Sequence, residues 1–113
     1  YTIRNKLNKK YMYSVLEKVG LEPRSKIPVG KYSLGMRQRL AIGQAIMENP
    51  DILILDEPMN GLDTNGVQEM RGLFEQMKNE GKLIILASHN REDIDVLCDE
   101  VYEMENGILK KRR

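Results

Sequence analysis

Residues 31–63 read KYSLGMRQRLAIGQAIMENPDILILDEPMNGLD, and their order carries the fold. A wholly apolar run, Ile52-Leu53-Ile54-Leu55, stands between an Asn49-Pro50 break and Pro58, and it ends on two adjacent acids, Asp56 and Glu57. Such a short apolar run between turn residues predicts a strand buried on both faces. Upstream, Ser33 can cap a helix running to about Glu48, which Asn49-Pro50 ends. Downstream, Asp63 or Thr64 caps a second helix with Val67, Met70, Phe74 and Met77 on one stripe and Gly81 after it. Leu83-Ile84-Ile85-Leu86-Ala87 is another fully apolar run. Strand, helix, strand with both strands apolar throughout predicts an α/β fold built on a parallel βαβ unit.

The flanks are read the same way. Met12, Val15, Leu16 and Val19 follow the spacing of an amphipathic helix over 8–19, which Gly20 should stop. Residues 21–32 hold Pro23, Pro28 and Gly30 and predict an irregular connection. A short helix is expected over 91–98, then a hairpin of Val101–Met104 with Ile108–Lys110, turned at Asn106-Gly107 where positive φ is tolerated.

Composition bounds the function classes. The 113 residues suit one small domain, and 41% hydrophobic content with no Trp and one Phe suits a modest aliphatic core. A net charge of +1 leaves no global field to attract nucleic acid. The basic tail Lys110-Lys111-Arg112-Arg113 reads as a solvated end or as a contact for lipid headgroups or another acidic surface. Cys98, the single cysteine, excludes an internal disulfide and suits a reducing compartment. No apolar run approaches the roughly 20 residues of a membrane span, and the polar, basic first ten residues do not resemble a signal peptide. A cytosolic chain is expected. It opens on Tyr1 instead of Met, which suggests that the natural start lies upstream.

Parallel sheets bind ligands beyond the carboxyl ends of their strands. Asp56 and Glu57 follow the first strand, and Ser88 and His89 follow the second. Two acids at the end of a buried strand are costly unless a cation neutralises them. Asp56 could hold Mg²⁺ near phosphates, leaving Glu57 to orient or deprotonate an attacking water. The plainer alternative is an acidic turn or a helix cap. His89, the one histidine, reads either as structural or, from its place at the neighbouring strand tip, as a hydrogen-bonding partner for a terminal phosphate oxygen or the attacking water. Ser33-Leu34-Gly35-Met36 reads as a helix cap, or as an anion site in which Ser33 and free N–H groups face a ligand that Gly35 lets approach.

Taken together, residues 32–104 resemble the C-terminal part of an ATP-binding cassette (ABC) ATPase. Tyr32-Ser33-Leu34-Gly35-Met36 stands where that family has its signature loop, usually Leu-Ser-Gly-Gly-Gln; Leu34 and Met36 depart from it while Ser33 and Gly35 match. Ile52 to Glu57 resembles the Walker B strand with its catalytic glutamate, Asn60-Gly61-Leu62-Asp63 the D-loop, and Ser88-His89 the switch-histidine loop. The Ser-Leu-Gly-Met form is similar to the exporter branch that confers resistance to bacitracin and lantibiotics.

The resemblance implies a partial P-loop NTPase fold: part of the α-helical signature subdomain over 1–48 and the C-terminal part of the ATPase core over 49–113. It implies Glu57 and His89 as catalytic, Asp56 as the metal ligand, and Ser33, Gly35 and Asp63 as contacts to ATP across a head-to-tail dimer. The implied cofactors are ATP and Mg²⁺. The implied partners are a second ATPase subunit and a membrane-spanning permease on the inner face of the membrane, without nucleic acid. No G-x-x-x-x-G-K-[ST] loop occurs, since Gly30-Lys31 is followed by Tyr32 and Gly81-Lys82 by Leu83. The resemblance places that loop N-terminal to Tyr1 and its strand between those at 52–55 and 83–87. The two strands would then need to rearrange to meet directly, or pair with another copy. The 113 residues alone are expected to be inactive. Competing expectations are a soluble cassette ATPase of translation or DNA repair and a non-catalytic interaction module. A helicase core is disfavoured because Glu57-Pro58-Met59 and Ala87-Ser88-His89 do not match its motifs.

Overall fold

The computed structural model describes residues 9–23 and 26–113. In chain order it contains α1 (Lys9–Lys18), a 3₁₀ turn (Val29–Lys31), α2 (Leu34–Ile46), β1 (Ile52–Asp56), α3 (Thr64–Asn79), β2 (Leu83–Ala87), α4 (Arg91–Leu97), β3 (Tyr102–Glu105) and β4 (Ile108–Lys111). The start expected for the first helix, residue 8, lies outside the described residues; its end is marked by Gly20 at φ +81°, a backbone region open to glycine. Ser33 caps α2 by accepting from the Met36 N–H at 3.1 Å. Asp63, the first of the two expected candidates, caps α3 by accepting from the Gly66 N–H at 2.7 Å.

β1 and β2 pair in parallel, from Ile52↔Leu83 to Asp56↔Ala87. Of the two arrangements expected, direct meeting or pairing with another copy, the chain shows the first, with a continuous ladder between β1 and β2. A correction concerns burial. Leu53 and Leu55 are buried, but Ile52 and Ile54 are 57% and 71% exposed, and Leu83 and Ile85 are 55% and 49% exposed. Side chains alternate along a strand, and among the described residues helices cover one face of this sheet. An unbroken apolar run therefore puts half of its side chains in the open. These four residues are paired in register and form one apolar patch.

The core lies on the covered face. Val15 from α1 and Val19 just after it, Ile42 and Ile46 from α2, Leu53 and Leu55 from β1, and Met70, Leu73, Phe74 and Met77 from α3 form one cluster. Polar bonds pin the helices around it. The Tyr11 hydroxyl donates to the Met47 carbonyl at 2.8 Å. Arg39 donates to the Val19 carbonyl at 3.0 Å and to Glu69 at 2.6 Å, tying α2 to the end of α1 and to α3. Arg71 of α3 reaches Asp93 of α4 at 2.6 Å, which matches the charge of a carboxylate that is 3% exposed.

β3 and β4 form the expected antiparallel hairpin, with Asn106 at φ 50° and Gly107 at φ 76°. Positive φ at both central residues suits the twist of a two-residue hairpin turn. The basic tail is largely matched within the chain: Lys111 faces Glu100 at 3.5 Å, Arg112 faces Glu103 at 2.6 Å, and Arg113 faces Asp95 at 3.6 Å. Arg113 also donates to the Cys98 and Ile94 carbonyls, pinning the chain end to α4. Burial pushes the Cys98 thiol up, opposed by the nearby Arg113 charge, and a thiol so raised is a poor nucleophile at neutral pH.

Met70 is fully buried at the centre of this cluster. Met70→Ala is expected to cost about 2–5 kcal/mol, measured as a lower urea midpoint with an unchanged slope.

Candidate active site

The chain turns sharply where β1 ends. Glu57 has φ +46°, a left-handed conformation that costs a residue with a Cβ roughly 1–2 kcal/mol. Surrounding bonds hold it there. Its N–H donates to the Ala87 carbonyl at 2.8 Å. Its carbonyl accepts from Gln38 Nε2 at 2.8 Å and from the Asn60 N–H at 3.2 Å. Its carboxylate oxygen Oε1 accepts from the His89 N–H at 2.9 Å. Glu57 thus joins the tip of β1 to the tip of β2.

His89 is brought to Glu57 through its backbone. Its side chain is fully exposed, and Nε2 stands 3.8 Å from Glu57 Oε1, beyond hydrogen-bond range. Asp56 is exposed at the last position of β1. Among the described residues no group of three His, Cys, Asp or Glu could by itself hold a metal ion. Magnesium typically takes one or two carboxylates and completes its shell with water and phosphate oxygens. An exposed Asp56 beside Glu57 fits that donor set, with the phosphates supplied by a ligand.

Ser33 and Gly35 lie apart from these groups, at the N-terminus of α2. Ser33 and Leu34 are exposed. What faces Gly35 is the chain itself: a Cβ there would lie 2.9 Å from the Gly61 carbonyl oxygen. Gly61, at φ +79°, is covered in turn by Leu34, whose Cγ would meet an added Cβ at 2.6 Å. The small size of Gly35 is therefore required by packing of α2 on the loop 57–63, a reason that its local sequence does not show. Asp63 belongs to that loop, and its Oδ1 is occupied as the cap of α3.

A cleft of about 330 Å³ opens between this loop, α3 and the start of α4. Glu57, Asp63, Gln68, Arg71 and Asn90 line it; Asp56, His89, Ser33 and Gly35 do not. The structure thus brings together Glu57 with the His89 backbone, and Glu57 with Asp63, while the Ser33 end of α2 forms a separate surface. Gln38 was missed by sequence reasoning. Its signal was the i, i+4 spacing from Leu34, which puts both side chains on one helical face.

A parallel strand pair with acids at one tip and Ser-His at the next, joined to a capped helix packed on the intervening loop, makes a partial α/β cassette fold. The chain belongs to the ABC transporter family, whose model matches residues 1–60. It is 50% identical over 95 residues to the uncharacterized ABC transporter ATP-binding protein YybJ of Bacillus subtilis (strain 168), covering 84% of this chain and 44% of that protein. It is 47% identical over 99 residues to the lantibiotic transport ATP-binding protein SrtF of Streptococcus pyogenes, covering 86% of this chain and 43% of that one. It is 47% identical over 96 residues to the bacitracin transport ATP-binding protein BcrA of Bacillus licheniformis, covering 84% and 31%. The chain therefore spans less than half the length of these relatives.

A solved dimeric structure of a bacterial ABC transporter cassette matches with a TM-score of 0.80 at 24% identity, over 92% of this chain and 47% of that one. A match of that extent means that the direct β1–β2 pairing belongs to the cassette fold. No rearrangement is needed to explain it.

Gly35→Ala should press a methyl group against the Gly61 carbonyl and destabilise the chain by about 1–3 kcal/mol. Gly30, where an added Cβ would meet nothing within 4 Å, supplies the control: Gly30→Ala should leave the denaturation midpoint nearly unchanged.

Proposed function

We propose that the full-length protein is the ATP-hydrolysing subunit of an ABC exporter acting on antimicrobial peptides of the lantibiotic or bacitracin kind. The observation that carries this reading is the 2.9 Å bond from the His89 N–H to Glu57 Oε1, which sets a carboxylate across the two strand tips. The relatives named above support the substrate class.

Glu57 is the general base: its carboxylate takes the proton of the attacking water. The His89 imidazole, exposed beside it, hydrogen-bonds a terminal phosphate oxygen. Asp56 would hold Mg²⁺ together with the phosphates, and the ion, when bound, would offset charge developing on the phosphate oxygens. Ser33 and the N-terminus of α2 offer a hydroxyl and N–H groups to a phosphate. Ser33 and Gly35, with Asp63, serve ATP held by a second ATPase subunit in a head-to-tail dimer. Their separation from the Glu57 cleft supports this division of labour for Ser33 and Gly35.

Residues 1–48 belong to the helical signature subdomain, and 49–113 to the ATPase core. The open apolar face of β1 and β2 is where the rest of the cassette packs. The subunit sits in the cytoplasm, on the inner face of the membrane, against a membrane-spanning permease, and uses no nucleic acid. Among the described residues no helix is long and apolar enough to cross a membrane.

Glu57→Gln in the full-length subunit should retain ATP binding and lose about 10²–10⁴-fold in turnover. Phosphate release near the unsubstituted rate would overturn the assignment. Residues 1–113 alone, which contain no G-x-x-x-x-G-K-[ST] loop, should show no phosphate release above background in the same assay. Sustained hydrolysis would show that the chemistry does not need that loop.

A further inference from the structure

We propose that Gln38 is a positioning residue for Glu57, holding its backbone in the left-handed conformation that places the carboxylate at the tip of β2. The proposal rests on the reading of Glu57 as general base. Strained backbone persists where the surroundings over-determine it, and it collects at functional positions. At Glu57 the N–H and the carboxylate are both held from the β2 side, by Ala87 and by His89. The carbonyl is held by the turn, through the Asn60 N–H at 3.2 Å, and from outside the sheet by Gln38 Nε2 at 2.8 Å.

The chemistry of the pair fixes its direction. A backbone carbonyl can only accept, so the side-chain amide must present its NH₂ group. The bond is part-buried, where a lost donor is not replaced freely by water. The geometry around it is also closed. Leu34, one turn before Gln38, covers Gly61, and Gly35 meets the Gly61 carbonyl with no room for a Cβ. Gln38 therefore stands on a helix face already clamped to the loop 57–63, and its amide is the group of that face that reaches the strained residue. The helix is the same one that Ser33 caps. Gln38 thus connects the residue that activates water to the helix whose N-terminus faces the other nucleotide.

The test uses the full-length subunit, with steady-state ATPase kinetics and thermal melting on the same samples. Gln38→Met keeps length and packing but has no donor. Its kcat should fall about tenfold, as for one lost part-buried hydrogen bond, with KM for ATP nearly unchanged and Tm lowered by no more than a few degrees. Gln38→Glu, similar in shape and without a donor when ionised, should fall at least as far. Gln38→Lys, which can still donate to the carbonyl, should recover most of the lost kcat. The double variant Gln38→Met with Glu57→Gln should turn over no more slowly than Glu57→Gln alone, because Gln38 acts through Glu57.

A lowered Tm with kcat unchanged would overturn the proposal, and so would a raised KM with kcat unchanged. A double variant slower than Glu57→Gln alone would also overturn it, since Gln38 would then act by another route. If Gln38→Met does not fold, the comparison of Gln38→Lys with Gln38→Glu decides, and equal kcat values would overturn the proposal. Wild-type turnover in Glu57→Gln is a separate outcome. It rejects the general-base reading itself and is read from a sample in which Gln38 is intact.

Discussion

The parallel ladder from Ile52↔Leu83 to Asp56↔Ala87 is the constraint on which the site depends. Because the last pair joins Asp56 to Ala87, the residues just beyond each strand emerge side by side. Glu57 is then close enough for its N–H to reach the Ala87 carbonyl and for its carboxylate to reach the His89 N–H. A slip of one residue would move the Leu53 and Leu55 side chains off the core face. Burial of those two leucines against α2 and α3 therefore holds the register that brings Glu57 to His89.

The second organising contact is α2 against the loop 57–63. It is made with small groups and one amide: Gly35 on the Gly61 carbonyl, Leu34 over Gly61, and Gln38 on the Glu57 carbonyl. Two glycines meeting at backbone distance leave little freedom for sliding, since an added methyl on either side would collide. Glu57, just beyond the end of β1, and the helix capped by Ser33 are thereby parts of one rigid unit. Arg39 and Arg71 extend that unit, the first to α1 and α3 and the second to α4.

Charge serves mainly to tie the C-terminal elements down. The tail residues Lys111, Arg112 and Arg113 each face an acid of this chain, and Arg113 also caps carbonyls of α4. Exposed pairs of this kind contribute about 0–1 kcal/mol each. Arg113 alone of the three reaches α4, through Asp95, and so places the chain end against that helix, while the Lys111 and Arg112 pairs lie within and beside the hairpin. The buried Asp93 is different, because its partner Arg71, which donates to it through both Nε and an Nη group, is needed to keep a carboxylate out of water.

Much of this was written in local sequence. Ser33 and Asp63 are caps because each short oxygen-bearing side chain stands three residues before an otherwise unpaired N–H. The two strands follow from their apolar runs, the hairpin turn from Asn106-Gly107, and the places of Asp56, Glu57 and His89 at and just beyond strand ends from the same runs. Three features were decided by tertiary contact. Whether an apolar strand is covered on one face or two depends on what packs there, so Ile54 and Leu55 are alike in the sequence and opposite in exposure. The direct neighbours β1 and β2 could not be derived from their order along the chain, since pairing is set by which edges meet. The partners of Gly35 and Gln38 lie 26 and 19 positions away, at Gly61 and Glu57, and no local pattern specifies which backbone carbonyl a glycine or an amide will find. Propensity and capping act within a few residues, whereas these contacts exist only once α2 has been folded back on the end of β1.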